Sequence, residues 1–382
     1  MAWSAQGSRQ RLRRRALVCA AVVLLIVGCR RGVPPSVPTA SYVAPTSQKL
    51  TIPPSTATAT ATTDEPPETS APTRAATPLP TVSGMTHDQV ASLSTLVQID
   101  DYPLYVMHAY GDAALASNRG APRTGFACSL FAALGHPDRR LYGRNYDWDY
   151  SPALVLFAHP EDGYDSVSVV DIAFNGLEGT LGLTGLPIAD RVILLDALGV
   201  PFDGMNAAGL AIGMAAVPSS DVPYDAALPD IGSLGIIREM LDHAGTVEEA
   251  LEIMRGHNVH MAGGPHIHYL LADSGGDAAL VEFYKGEMVV LDPVGAWHAA
   301  TNHFRAPLDE GARQMCHRYA HLSEELVGAQ GRVTVEEALG LLSDVSQSST
   351  QWSAVYDMSS LALHIAMGHD YGDVTSLFLS LE

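Results

Sequence analysis

Lysine is nearly missing from this chain of 382 residues: Lys49 and Lys285 stand against twenty arginines, a bias of genome composition that carries no chemistry. Cysteine is scarce as well. Four residues, at 19, 29, 128 and 316, cannot build a disulfide scaffold in a chain of this length, so each needs its own explanation. Charged residues are only 17% against 47% apolar, with 34 Gly and 24 Pro, which excludes a coiled coil and a wholly disordered chain. The formal net charge is -20, and removal of residues 1–28, which hold five Arg and no acid, would take it to -25. Nucleic acid is a poor partner for such a surface. There is no internal repeat, and no metal or cofactor motif is read.

The basic start explains two cysteines. Arg9, Arg11 and the run Arg13 to Arg15 precede the apolar stretch Ala16–Gly28, which has the form of an export signal and is too short to span a bilayer comfortably. It ends in Ile26-Val27-Gly28-Cys29, which resembles the lipobox of bacterial lipoproteins. That resemblance implies acylation of Cys29 and an exported, extracytoplasmic protein anchored to the cell membrane by lipid, with Cys19 discarded in the signal peptide, residues 1–28. An ordinary signal peptide with an accidental Cys, or an uncleaved anchor helix, is the alternative. Residues 29–84 follow as a Pro/Thr-rich segment with too few large apolar side chains for a core, expected to be a disordered spacer.

From about Met85 the composition is that of a folded domain. Residues 85–127 are expected to be a pro-segment or N-terminal chain packed on the core, and 128–382 the catalytic domain. Strand-like runs fall at 102–110, 125–134, 141–148, 153–158, 166–174, 210–217, 267–272, 279–284, 288–291 and 352–356. Turns at Tyr284-Lys285-Gly286-Glu287 and His136-Pro137-Asp138 make several of these hairpin partners. Capping boxes at Thr246 with Glu249 and Thr334 with Glu337, the apolar spacing of Ile236, Ile237, Met240 and Leu241, and the segment 310–327 predict helices. Grouped strands separated by helix pairs indicate an α+β fold of two mainly antiparallel sheets covered by helices.

The chemistry is most legible around Cys128. Thr124-Gly125-Phe126-Ala127-Cys128-Ser129 leads into one strand, and Gly143-Arg144-Asn145-Tyr146-Asp147-Trp148 lies on the next. A tight hairpin sets the two side by side, so a guanidinium and a carboxylate can stand near the sulfur. A cation near a thiol favours the thiolate, the attacking species. A buried Cys beside an ordinary ion pair would give the same residues without function.

Four ordered motifs resemble a known family. Cys128 with Arg144 and Asp147, then Asn206-Ala207-Ala208-Gly209-Leu210, then Ala300-Thr301-Asn302-His303-Phe304, then Cys316-His317-Arg318-Tyr319, are similar to N-terminal-nucleophile (Ntn) hydrolases of the choloylglycine hydrolase type. That group includes bile salt hydrolases, penicillin V acylases, acid ceramidase-like amidases and isopenicillin N acyltransferase relatives. The resemblance implies a four-layer αββα sandwich. It also implies Cys128 as nucleophile with Arg144 and Asp147 beside it, Asn302 as oxyanion donor and Arg318 as a second cation of the site. The free α-amine of Cys128 would do the proton work, after self-cleavage of the Ala127–Cys128 bond. Alignment puts Ala216 where relatives carry a second oxyanion side chain; a backbone amide could substitute there, and the second oxyanion group is left open. Asn206 is assigned to the hairpin turn rather than to substrate, and Arg313 rivals Arg318.

The implied activity is hydrolysis of a linear, non-peptide carbon–nitrogen amide bond in a small N-acyl compound, with no metal and no cofactor. An acyltransferase on the same scaffold, a noncatalytic substrate-binding lipoprotein and, more weakly, a papain-like Cys/His/Asn protease remain open. His257, His260, His266 and His268 are assigned to structure rather than metal, because no acid or Cys stands at ligand spacing. Cys316 is expected to be a free thiol near the site.

Overall fold

The computed structural model describes residues 79–112, 127–175, 182–261, 264–306 and 316–379. The chain divides into two units, 1–73 and 74–382, and every described residue lies in the second. The signal segment, Cys29, most of the spacer, residues 124–126 and Arg313 lie outside the described residues. No helix among the described residues is long and apolar enough to cross a membrane.

Helix α1 (His87–Ser94) leads to β1 (Val97–Asp100) and β2 (Leu104–Tyr110). Then come β3 (Ser129–His136), β4 (Arg139–Asp147), β5 (Ala153–His159) and β6 (Ser166–Asp171), three short 3-10 segments between Ile172 and Gly199, β7 (Asp203–Asn206) and β8 (Ala211–Val217). Strand β9 (Asp230–Gly232), helices α2 (Gly235–His243) and α3 (Val247–Arg255), and β10 (Asn258–His260) precede β11 (His266–Ala272), β12 (Ala278–Tyr284), β13 (Glu287–Leu291) and β14 (Trp297–Ala300). The described chain closes with α4 (His317–Gly328), α5 (Val335–Asp344), β15 (Thr350–Asp357), β16 (Ala362–Met367) and β17 (Val374–Phe378).

One sheet has nine strands in the order β1-β2-β5-β6-β7-β8-β11-β12-β13, and the other six, β14-β3-β4-β15-β16-β17. Both are antiparallel except for the parallel pair β2 and β5; β9 and β10 form a small parallel ladder of their own. The period-2 alternation of β3 explains the layering. Leu130 and Ala132 join the core between the sheets, whereas Phe131 and Ala133 join a second core with Leu322, Leu326, Leu339 and Leu342 of α4 and α5. Helices α2 and α3 cover the far face of the nine-stranded sheet, where Gly204 packs on Leu241. The result is four layers: helices, two antiparallel sheets, helices.

Helices α3 and α5 start at the expected capping boxes, with Glu249 and Glu337 closing back on the backbone of Thr246 and Thr334. The helix expected from 310 begins at His317 among the described residues. Two strand expectations shift. Cys128 precedes β3 instead of lying inside it, and the run 166–174 leaves the sheet at Asp171, where the carboxylate accepts the Ala173 N–H and turns the chain into a 3-10 segment. Residues before Cys128 are built into the fold. Leu104, Tyr105 and Met107 of β2 are fully buried, and all seven residues of β2 pair with β5.

Candidate active site

The first residues of β3, β7 and β15 and the last of β4 and β14 meet at one end of the two sheets, and this convergence builds the site. The hairpin of β3 and β4 pairs Leu130 with Arg144 and Ser129 with Asn145, so Cys128 and Arg144 share the face turned toward the nine-stranded sheet. Gly143 allows this pairing, because a Cβ there would meet the Phe131 ring at 2.4 Å.

Cys128 is a free thiol, 2% exposed. The Arg144 Nη2 lies 3.9 Å from its Sγ, and the Asp147 backbone N–H also donates to the sulfur. Burial pushes the thiol pKa up; the Arg144 charge pulls it down, the Asp147 charge adds to the rise, and the hydrogen bonds from Asp147 and Arg144 oppose it. Arg144 is fully buried and crosses between the sheets: its Nη1 donates to the Phe202 carbonyl at 2.8 Å and to the Asp203 carboxylate. The other Asp203 oxygen accepts from the Tyr356 hydroxyl, and the Arg144 guanidinium lies 5.0 Å from the Tyr146 ring centroid.

Asp147 reaches the sulfur with its backbone N–H, while its carboxylate is held by Thr350. It lies three residues from Arg144, hence on the opposite face of β4, where its Oδ1 accepts from the Thr350 hydroxyl at 2.5 Å. Its Oδ2 is buried with no hydrogen-bond partner, and Arg318 Nη1 is 3.8 Å away. Burial pushes its pKa up to about 6, against the Thr350 bond and the charges of Arg318 and Arg144. The Ala127 N–H donates to the Asp147 carbonyl at 3.5 Å, so the Ala127–Cys128 peptide lies against this residue.

Arg318, in the first turn of α4, ties the parts together. Its Nη1 donates to the Cys128 carbonyl and, at 2.8 Å, to the Ser129 hydroxyl, while Nη2 donates to Asn302 Oδ1 at 2.9 Å. With its oxygen so held, Asn302 points its amide nitrogen at the Ala216 carbonyl, 2.8 Å away, leaving one N–H free. Cys128, Arg144, Asp147, Asn302 and Arg318 are thus joined through contacts among themselves.

The model of the family described as "Acyl-coenzyme A:6-aminopenicillanic acid acyl-transferase" matches residues 199–371, a little under half of the chain. The match agrees with the resemblance read in the three later motifs. The matched stretch holds Asp203, Asn206, Asn302 and Arg318, and the nucleophile hairpin lies before it. Among solved structures, a variant of conjugated bile acid hydrolase from Clostridium perfringens is 14% identical over 66% of this chain and 92% of its own, with a TM-score of 0.49. Penicillin V acylase from Agrobacterium tumefaciens is 18% identical over 63% of this chain and 83% of its own, with a TM-score of 0.45. No curated protein sequence matches.

Within the acyl-transferase match, Asn206 lies away from these groups. It is fully buried, accepts from the Ala208 and Leu210 N–H groups and donates to the Leu241 and Ala244 carbonyls, so it closes the β7–β8 hairpin and caps the end of α2. Cys316 is a free, half-buried thiol at the start of α4. Burial raises its pKa, but hydrogen bonds from Thr301 and the Tyr319 backbone and the Arg318 charge outweigh that, and the net shift is down. His268 is buried against Glu282, with Nδ1 at 3.0 Å from Oε1. No cluster of three or more His, Cys, Asp or Glu fit to hold a metal occurs among the described residues. Asp203, three residues before the Asn206 motif, is a site residue that the motifs did not single out. The available signal is an acid inside an apolar strand, which demands a buried cationic partner.

Proposed function

We propose that this protein is an exported, lipid-anchored cysteine amidase that hydrolyses the linear carbon–nitrogen amide bond of a small N-acyl compound through a Cys128 thioester. The observation that carries the reading is the buried thiol 3.9 Å from the Arg144 guanidinium, with the Ala127 N–H just before it bonded to the Asp147 carbonyl and one oxygen of the Asp147 carboxylate buried without a partner. Self-cleavage of the Ala127–Cys128 bond would turn the Cys128 nitrogen into an α-amine, and the buried Asp147 carboxylate supplies the acceptor an ammonium there needs. An α-amine, with a reference pKa near 8, suits acid and base duty at neutral pH.

The thiol proton passes to the amine as sulfur attacks the acyl carbon. The carbonyl oxygen becomes an oxyanion, which the free Asn302 N–H stabilises. Collapse breaks the carbon–nitrogen bond, and the leaving amine takes the proton from the Cys128 ammonium. Water, deprotonated by the same amine, then cleaves the thioester and releases the acid. Arg144 favours the thiolate, and Arg318 fixes Asn302 against the Cys128 backbone. In the uncut chain the thiol is almost inaccessible, which supports a precursor that opens on cleavage.

Intact mass, N-terminal sequence and turnover on a panel of N-acyl amides test this together. Active protein should begin at Cys128 in one fragment and retain the preceding fragment through β2 under native conditions, and Cys128→Ala should be uncut and inactive. A single full-length species with wild-type turnover would refute processing. Binding without turnover by wild type and Cys128→Ala alike would leave a passive receptor. Anchoring through Cys29 predicts an acyl mass on the fragment that starts there. The description of the matched family favours acyl transfer as a second reading; a product amide formed only when an acceptor amine is added would establish it.

A further inference from the structure

Asn302 lies in the loop 301–306 that follows β14, and a short loop holds a hydrogen-bond donor in place only if its own backbone is fixed. The Asn302 side chain is fixed by Arg318 and Ala216. Its backbone is fixed from elsewhere. Glu282, fully buried on β12 in the nine-stranded sheet, accepts the Arg305 N–H with both oxygens at 2.9 and 3.0 Å and the Ala306 N–H with Oε2 at 2.6 Å. His268, fully buried on β11, donates from Nδ1 to Oε1 at 3.0 Å. On its other side the loop meets α4: the Arg305 guanidinium stacks over the Tyr319 ring at 3.9 Å, and His303 lies edge-on to the same ring. The carboxylate is therefore a clamp reaching from one sheet to the end of the other, where it holds the backbone three and four residues downstream of the proposed oxyanion donor.

We propose that Glu282, oriented by His268, is a positioning residue that preorganises Asn302 for the oxyanion. This rests on the reading of Asn302 given above. A buried carboxylate accepting two backbone N–H groups is charge-assisted and stiff, and a donor fixed before reaction is what transition-state stabilisation requires. Neither Glu282 nor His268 needs to touch substrate.

Glu282→Gln keeps the side-chain volume but replaces one acceptor oxygen by a donor, which must face a loop N–H or His268. On whichever N-acyl amide the wild type hydrolyses, kcat should fall tenfold to about a hundredfold with KM changed less than about twofold. Amide exchange at Arg305 and Ala306 should quicken, while alkylation of Cys128 by iodoacetamide, read as the mass of the Cys128 peptide, should keep its wild-type rate because no carbonyl oxyanion forms. Unchanged kcat, unchanged exchange, or alkylation falling in step with kcat would overturn the proposal. If the Gln variant fails to fold, Glu282→Asp keeps the charge but shortens the reach by one methylene, and the same three readouts decide. Should the wild type hydrolyse no N-acyl amide, the amidase reading fails alone, and the exchange arm still decides whether Glu282 clamps the loop.

Discussion

The protonation of Asp147 is governed by burial, which outweighs the Thr350 hydrogen bond and the charges of Arg318 and Arg144. In the uncut chain its pKa of about 6 lies above the ordinary carboxyl value of 3.8, so the folded state binds that proton more tightly than the unfolded one. Stability from this group is therefore fully present below about pH 4 and is lost as pH rises toward 6, a difference on the order of 2–3 kcal/mol. Urea unfolding of Cys128→Ala at a series of pH values between 4 and 7 should show the fall, and adding Asp147→Asn should remove it. In cleaved wild type the new ammonium should remove it too; a cleaved protein with the same slope would mean the amine sits elsewhere. At this scale Cys128, Arg144 and Asp147 were legible because one hairpin carries them within twenty residues. Asp203 was not, because its partner Arg144 is 59 residues away on the other sheet and only tertiary packing joins them. Glu282 was hidden for the same reason: its role lies in backbone groups of a loop that no periodicity foretells.

Longer strands with both faces buried were readable, and β13, read from Met288 to Leu291, is the exception with no buried residue. The runs that became β3 to β6, β8, β11, β12 and β15 are buried on both faces along most of their length, as central strands of a sandwich must be, although β4, β6 and β15 carry polar side chains among the apolar ones. Edge strand β1 has three of four residues exposed and edge strand β17 none buried; in Val97-Gln98-Ile99-Asp100 the alternation is present but spans only four residues and faces solvent, and Val374-Thr375-Ser376-Leu377-Phe378 breaks it. Strand β14 is four residues, two of them Ala, too short for a pattern. The hairpin that carries the nucleophile has its own requirement at Gly143. Gly143→Ala places a methyl at 2.4 Å from the Phe131 ring and should destabilise the domain by about 1–3 kcal/mol. Phe131→Leu costs stability by itself through lost core volume, yet combined with Gly143→Ala it should recover part of the glycine penalty, a coupling of at least 0.5 kcal/mol in a double-mutant cycle. Additive effects in denaturant unfolding would mean that the ring moves aside freely.

Among the described residues the two sheets meet mostly through apolar side chains; Tyr146 with Asp171 and Tyr142 with the Leu270 carbonyl make polar contacts across the seam, and Arg144–Asp203 with Tyr356 is the one that carries a buried ion pair. Burying two charges rarely stabilises a fold more than apolar side chains of similar size would, so this pair is better explained by what it does for the thiol than by holding the layers together. The two roles can be separated. Asp203→Leu leaves the Arg144 charge buried with only the Phe202 carbonyl and the sulfur, and should cost about 3–5 kcal/mol in denaturant unfolding. Adding Arg144→Met removes the stranded charge and should return most of that loss. Iodoacetamide should alkylate the thiol of the double variant more slowly than that of wild type at pH 7, because the cation that favours thiolate is gone while burial still opposes it. Recovery of both stability and alkylation rate would make the guanidinium a structural filler; recovery of stability alone would show that the sheets tolerate an apolar seam and that the charge is kept for the sulfur.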